Sequence, residues 1–275
     1  MKPIPFFKMS GSGNDFIIID NRAAVVPEPR LKKLVTGACR RKMSVGADGL
    51  ILIEPSDKVD FRWRFFNADG SAAEMCGNGA RCVARFAFIH GIAGRRMAFE
   101  TVAGIIEASL DEDSVKIRMT DPTALKTGYG LNLDRATIVV GSVNTGVPHV
   151  VAVVEDIEAL DVVANGRRIR HHSDFAPAGT NVNFVAFGDD DEIFIRTYER
   201  GVEDETLACG TGNVAAAVVL AHDRDLASPV SLTTRSGVKL TVHFKREAGR
   251  FTDVYLQGDA RVIYQGELWE EAWRV

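Results

Sequence analysis

Cys76-Gly77-Asn78-Gly79-Ala80-Arg81-Cys82-Val83-Ala84-Arg85-Phe86-Ala87-Phe88-Ile89 and Cys209-Gly210-Thr211-Gly212-Asn213-Val214-Ala215-Ala216-Ala217-Val218-Val219-Leu220-Ala221 repeat one pattern, about half a chain length apart. Each opens on Cys-Gly-x-Gly and runs on as an apolar stretch that reads as a helix, over 80–89 and 213–221. Each follows an acidic, strand-flanked stretch, Phe66-Asn67-Ala68-Asp69-Gly70 and Tyr198-Glu199-Arg200-Gly201. The second helix is apolar on every side, and the first nearly so, with Arg81 and Arg85 as exceptions. A helix apolar all round is buried all round, and these are far too short to cross a bilayer. Something must therefore wrap each of them.

The remaining sequence supplies the wrapping. Short strands are expected at 4–9, 16–20, 50–54, 60–66, 105–110 and 115–119, then at 137–140, 150–154, 182–187, 193–198, 231–234, 238–244 and 252–256. Alternation is clearest in Phe61-Arg62-Trp63-Arg64-Phe65. A helix is expected over 28–41, opened by Pro27 and Pro29. The fold class is α+β: two similar lobes, each a strand barrel wrapped around a central helix, with the helix starts meeting at a cleft between lobes. Asp121-Pro122 reads as an extended connection. It places an N-terminal lobe at 1–121 and a C-terminal lobe at 122–260, with 261–275 a candidate to complete the first.

A thiol at a helix start has a particular chemistry. The first-turn N–H groups and the partial positive charge there favour thiolate over thiol. The same N–H groups can cradle a carboxylate, and glycine lets backbone approach a ligand closely. Each Cys-Gly-x-Gly thus offers a base and part of an anion site. Two of them suit a reaction in which one face of a carbon loses a proton and the other gains one. Taken singly, a cysteine before glycine is more often an inert core thiol; the duplication argues against that.

Composition narrows the field. The chain has 275 residues, 46% hydrophobic and 25% charged, with a net charge of −4. That is the profile of a globular protein with no electrostatic footprint for nucleic acid. Arg40-Arg41, Arg95-Arg96 and Arg167-Arg168 read as solvated loop charges. Met1-Lys2-Pro3-Ile4-Pro5 has no leader character, and no apolar stretch has membrane-spanning length. Cys39, Cys76, Cys82 and Cys209 make no disulfide framework and suit a reducing, cytoplasmic compartment. No CxxC pair occurs, Cys76 and Cys82 have no usual zinc spacing, and His171-His172 has no partner cluster, so no metal is expected. Gly11-Ser12-Gly13-Asn14-Asp15 leads into a strand, which excludes a dinucleotide fingerprint.

Across essentially its whole length the sequence resembles the diaminopimelate epimerase family. The resemblance is carried by Gly13-Asn14-Asp15-Phe16, by Phe66-Asn67-Ala68-Asp69-Gly70-Ser71 through Cys82, by Pro148-His149, and by Glu199-Arg200-Gly201 through Gly212. It implies a cofactor-independent isomerase that interconverts LL- and meso-2,6-diaminopimelate without PLP, for lysine and peptidoglycan precursors. It implies Cys76 and Cys209 as the two catalytic thiols. It implies Asn14, Asn67, Asn181, Glu199 and Arg200 as substrate contacts, and Gly77-Asn78 and Gly210-Thr211 as holders of the reacting carboxylate. His149 and Glu199 match residues that tune the thiols. A homodimer and a small amino-acid substrate are implied too; no cofactor is.

Bland readings stand beside these. Asn14 can simply make a turn, His149 can be an ordinary buried histidine, and Glu199-Arg200 a surface pair. Cys39 and Cys82 read as core thiols. Some family members carry Asn at Val147 and Gln at Gly49; both departures bear on distal recognition. Other readings of the chain are a proline-type racemase, a related isomerase lacking one thiol, and a non-catalytic module that binds amino-acid carboxylates.

Overall fold

Phe61, Trp63 and Phe65 are buried while Arg62 and Arg64 between them reach outward, so the alternation seen in sequence becomes one strand with an inner and an outer face. The computed structural model describes residues 2–133 and 136–274. Met1, Asp134, Arg135 and Val275 lie outside the described residues. In chain order the elements are β1 (Ile4–Gly11), β2 (Asn14–Asp20), α1 (Leu31–Ala38), β3 (Gly49–Glu54), β4 (Phe61–Asn67), β5 (Ala72–Ala73), α2 (Gly77–Ile89), β6 (Arg96–Thr101), β7 (Gly104–Asp111) and β8 (Ser114–Arg118). There follow β9 (Thr123–Leu133), β10 (Ala136–Asn144), β11 (Pro148–Val153), α3 (Val162–Arg170), β12 (Asn181–Phe187), β13 (Ile193–Glu199), β14 (Asp204–Thr206), α4 (Gly210–Arg224), β15 (Val230–Thr233), β16 (Lys239–Glu247), β17 (Arg250–Asp259) and β18 (Arg261–Leu268).

The chain divides into two compact units, 1–117 with 258–275, and 118–257. In the first, β18 pairs antiparallel with β1, β1 with β2, β3 with β4, β6 with β7 and β7 with β8, while β2–β3 and β4–β6 are parallel. In the second, β9–β10, β10–β11, β12–β13, β15–β16 and β16–β17 are antiparallel, and β11–β12 and β13–β15 are parallel. The two topologies are the same. Both parallel steps in each unit are crossovers made by a helix, as parallel pairing requires: α1 and α2 in the first, α3 and α4 in the second. The strand that occupies the place of β9 in the first unit is β18, from the far end of the chain.

Each sheet carries its two helices on opposite faces. Ile17, Ile19, Leu50 and Leu52 pack with Leu31, Leu34 and Val35 of α1, joined by Trp273. Phe16, Ile18, Ile51 and Ile53 are also buried and lie on the other face by strand alternation, where α2 packs against β1, β2, β3 and β7. Strands buried on both faces read as unbroken apolar runs, as Phe16–Ile19 and Leu50–Ile53 do. In the second unit α3 joins Val140, Val150, Val182, Phe184 and Tyr198. There α4 is buried without a break from Gly212 to Ala221.

Several sequence expectations are corrected. The helix expected over 28–41 is a 3₁₀ turn at Glu28–Arg30 followed by α1, which stops at Ala38. It stops because the N–H groups of Gly46 and Ala47 take the carbonyls of Ala38 and Cys39, turning the chain back. The central helices begin earlier than expected, directly after each cysteine. Strands β6, β9 and β18 and helix α3 were not expected. β9 and β18 are largely exposed and therefore carry weak apolar patterns; α3 contains Asn165-Gly166. Arg167-Arg168 lies on α3, Arg96 opens β6, and Arg41 bonds Asp15 and Asp48, so these pairs are not all loop charges.

Among the described residues no helix is long and apolar enough to cross a membrane, and no group of His, Cys, Asp and Glu is placed to hold a metal ion.

Gly166 marks where α3 meets β13: a Cβ there would lie 2.4 Å from Cβ of buried Tyr198. Two effects oppose one another at Gly166→Ala. Alanine favours a helix interior by about 1 kcal/mol, whereas overpacking costs about 1–3 kcal/mol. Because the clash is with a side chain's root, which cannot swing away, the overpacking wins. Urea unfolding of Gly166→Ala should show a net loss of stability; a gain would mean that α3 lies looser on the sheet than drawn here.

Candidate active site

Cys76 and Cys209 occupy the same place in the two topologies, after the short strand that follows β4 or β13 and immediately before the central helix. Both are N-caps with extended backbone, φ −146° and −117°, and neither side chain accepts from its own helix's N–H groups. In each unit the first-turn N–H groups of a buried helix therefore lie beside its thiol, with the partial positive charge that a helix start carries. Cys76 is half-buried and Cys209 is 7% exposed. Cys39 and Cys82 differ: both are core residues, and burial pushes the Cys39 thiol up to about 12 and Cys82 further still. They remain neutral and inert.

Around Cys76 the polar groups form one directed chain. Arg81, wholly buried in the second turn of α2, donates to Asn78 Oδ1 at 2.8 Å and to Ser12 Oγ at 2.8 Å. Asn78 Nδ2 donates to Asn14 Oδ1 at 2.6 Å, and Asn14 Nδ2 to Asp48 Oδ2 at 3.0 Å. Arginine can only donate and a carboxylate can only accept, so the ends of the chain fix both amides between them. Asp48 is held in turn by Arg41, which also grips Asp15 at 2.6 Å. Asn67 is separate from this set. It ends β4 in a tight turn, donating from Nδ2 to Ser71 Oγ at 3.0 Å, and is exposed. Its turn role is plain, and no contact joins it to Asn14 or Asn78.

Around Cys209 the partners are different. Thr211 Oγ1 lies 3.5 Å from Cys209 Sγ. Asn213 bonds Cys209 O from Nδ2 at 2.8 Å and from its backbone N–H at 3.0 Å, pinning the extended residue to the helix. Asn181 and Arg200 meet: Arg200 N–H donates to Asn181 Oδ1 at 2.8 Å, and Asn181 Nδ2 to Pro148 O at 3.1 Å. His149 stands beside Asn181 in the parallel register of β11 and β12. Glu199 precedes Arg200, and burial raises its carboxyl toward the neutral form, the nearby Thr206 hydroxyl acting in the opposite direction.

The sequence reading missed Asn183, wholly buried on β12. Its Nδ2 donates to Val150 O at 2.9 Å and lies 3.1 Å from His149 Nδ1, while its Oδ1 accepts from Thr197 Oγ1 at 3.0 Å. The Val150 carbonyl identifies that end of the amide as the donor, so His149 Nδ1 accepts and the imidazole proton sits on Nε2. That Nε2 is buried with no partner among the described residues. Ser12, Asp48, Arg81 and Asp259 were missed as site residues too; the one sequence signal was a charged Arg81 in an otherwise apolar helix.

The two departures are located. Val147 is half-buried in the turn before β11, its carbonyl accepting from Thr145 N–H at 3.1 Å. Gly49 lies under Phe65, and a Cβ would come within 2.6 Å of that ring and of the Phe66 carbonyl oxygen. A separate apolar hollow of about 510 Å³, lined by residues such as Ile138, Val151, Leu160 and Phe184, contains none of the candidate residues.

His149 gives a test. Burial first, and the nearby Arg200 charge second, push it down to about 3 from an ordinary 6.5. The folded chain therefore refuses a proton that the unfolded chain accepts below pH 6.5. The His149 contribution to stability is complete above that pH and drains away as pH falls toward 3. Nitrogen-15 NMR should find His149 neutral from pH 5 to 8 as the Nε2–H tautomer; a titration near 6.5 would refute the buried arrangement.

A family model described as diaminopimelate epimerase matches residues 6–125 and 141–263. The curated diaminopimelate epimerase of Aquifex aeolicus (strain VF5) is 46% identical over 278 residues, covering 97% of this chain and 98% of its own. That of Archaeoglobus fulgidus is 40% identical over 278 residues, covering 96% of each. Among solved structures, a phenazine biosynthesis protein of the PhzF family from Bacillus anthracis superposes with a TM-score of 0.73 at 18% identity, over 98% of this chain and 100% of that one. A probable proline racemase from Agrobacterium radiobacter K84 gives 0.67 at 16% identity, over 97% and 93%. These two likenesses show a shared fold.

Proposed function

The chain belongs to the diaminopimelate epimerase family, and we propose that it interconverts LL- and meso-diaminopimelate without PLP, with Cys76 and Cys209 as its two acid–base groups. The observation that carries this is the repeated placement of a cysteine as the N-cap of a buried helix, once in each of two topologically matching units.

An amino-acid α-proton is a very weak acid, and its removal leaves charge that must be stabilised where it forms. In this reading the first-turn N–H groups at Gly77-Asn78 and Gly210-Thr211 receive the α-carboxylate and the enolate-like charge. One cysteine acts as thiolate and takes the α-proton from one face. The other, as thiol, gives its proton to the opposite face. Each turnover leaves the two protonation states exchanged, so the reaction runs equally in reverse. Asn14, Asn78 and Asn181 offer amides whose directions are set by their neighbours, and Asn67, Glu199 and Arg200 complete the polar contacts to substrate. His149, neutral and bearing its proton on Nε2, tunes the second thiol as a fixed hydrogen-bond donor rather than as a cation; Glu199 contributes there as a carboxyl raised by burial. A homodimer, a cytoplasmic setting and a place in lysine and peptidoglycan precursor supply belong to the same reading.

Incubating LL-diaminopimelate with dialysed protein in deuterium oxide should introduce deuterium at the α-carbon and yield the meso isomer with no added cofactor. Exchange with proline, hydroxyproline or histidine but none with diaminopimelate would reassign the substrate, and exchange with none of them would leave a binding protein.

The two thiols are separable by stereochemistry. Cys76→Ser and Cys209→Ser should each lose epimerisation by about three orders of magnitude or more, since a serine hydroxyl is a poor acid–base group near neutrality. A β-halogenated analogue needs only one deprotonation before halide leaves. Each variant should therefore eliminate halide from one stereoisomer, and the preferred isomer should switch between variants. A shared preference would mean that one cysteine is structural.

A further inference from the structure

Arg81 is a wholly buried cation with no carboxylate in ion-pair contact among the described residues. Its Nε donates to Asp259 O at 3.1 Å, its Nη1 faces Gly77 O at 3.5 Å, and its Nη2 reaches Ser12 Oγ and Asn78 Oδ1. Asp259 is close and its charge acts on Arg81, but its oxygens are bonded elsewhere: Oδ1 takes the N–H and O–H of Ser12 at 3.0 Å, and Oδ2 pairs with Arg261 at 2.7 Å. Neutral oxygens satisfy the hydrogens of the guanidinium, and Asp259 offsets its charge only from a distance, while burying such a charge is costly unless an anion faces it directly. The bonded carbonyl, Gly77 O, belongs to the residue after Cys76, and Arg81 interacts electrostatically with Cys82 and Asp259 first and with Cys76 after them.

The other charges near this helix start are already matched. Lys8 on β1 pairs with Asp15 on β2, and Arg41 answers Asp15 and Asp48. Cys82 is kept neutral by burial, Arg85 pairs with Asp113, and Glu107 on β7 is exposed to water. The second unit lacks the device. The residue five positions after Cys209 is Val214. Near that helix start His149 is neutral and Glu199 is raised toward neutrality, while Arg196 is paired with Glu205. Arg200 is half-buried and donates to Ala178 O at 3.3 Å, open to screening by water.

We propose that Arg81 is a positioning residue of the first helix start: it sets the direction of the Asn78–Asn14–Asp48 chain, and its buried charge, only partly offset by Asp259, makes Cys76, rather than Cys209, the cysteine that rests as thiolate. The duplicated thiols then begin the cycle unequal. Substrate with its proton facing Cys76 enters directly, and the opposite isomer requires the proton to be on Cys76 first. This deepens the epimerase reading and rests on it.

The test is alkylation by iodoacetamide across pH, with the adducts on Cys76 and Cys209 quantified separately by mass spectrometry. The midpoint of each rate–pH curve is the reading, because poor reagent access lowers the plateau without moving the midpoint; burial does move it, so the Arg81 contribution is read from the shift of the same cysteine between unaltered chain and variant. In the unaltered chain the Cys76 midpoint should be the lower. In Arg81→Met it should rise by about one pH unit, a tenfold loss of Cys76 reactivity below the midpoint, with Cys209 unmoved. In Arg81→Lys the charge remains and the fork is lost, so the Cys76 midpoint should stay low while KM for diaminopimelate rises more than kcat falls. A Cys209 midpoint at or below that of Cys76 in the unaltered chain overturns the proposal without any variant, even if Arg81→Met does not fold. So does a folded Arg81→Met with unchanged Cys76. Deuterium exchange on the same unaltered samples reports the epimerase chemistry independently, so the two readings fail separately.

Discussion

A helix buried through its middle turns has mainly its ends for polar business, and that constraint organises both units. The residues of α4 from Gly212 to Ala221 see no water, and those of α2 from Asn78 to Ala84 see none either. Neither helix start is closed by a side-chain cap, an omission that usually costs about 1 kcal/mol. In the proposed reading the first-turn N–H groups are instead left for the substrate carboxylate. The curled sheet, the short strand before each helix and the glycines after each cysteine all serve to bring an open helix start to a defined place. Binding of a carboxylate there would supply the partner that the cap withholds.

The matching topologies hold two such places, and their surroundings are unlike. The first is built around a buried cation and a directed relay of amides ending on a carboxylate. The second is built around a neutral imidazole, and its key amide, Asn183, is tied to backbone and a threonine hydroxyl. Positions that match in topology hold different chemistry: Asn78 against Thr211, Ala80 against Asn213, Arg81 against Val214. A reaction that inverts one carbon needs two acid–base groups, but it has no need for them to be equal at rest. Unequal surroundings fix which protonation state waits for substrate, and equal ones would leave it to chance.

What could be read in the sequence follows from where information is dense. The central helices, the strands buried on both faces and the thiols were legible, because continuous apolar runs and a repeated Cys-Gly-x-Gly are strong local signals. Strands β9 and β18 were not, since an exposed strand needs little apolar pattern and is defined by its neighbour. Helix α3 hid behind Asn165-Gly166, whose glycine answers to Tyr198 rather than to helix propensity. Asn183 escaped for a related reason: an asparagine in an apolar strand looks incidental until Val150, Thr197 and His149 are brought around it. Arg81 was visible as an anomaly within α2, but its meaning depends on Asp259, far along the chain.

That last dependence reaches into how the molecule can assemble. The second unit is continuous in sequence, whereas the first takes β18 from the far end, pairing Ile4 with Leu268. Contacts of such separation form late, because the loop must be closed before they reward it. Arg81 and Ser12 find Asp259 only once this segment has returned. The buried cation behind Cys76 is thus bonded to a segment far along the chain, while His149, Asn183 and Thr197 all come from within 118–257. Of the two units, the one that holds a buried cation is the one closed by a pairing of long sequence separation, so the bond from Arg81 to Asp259 depends on residues 258–275 joining the first unit.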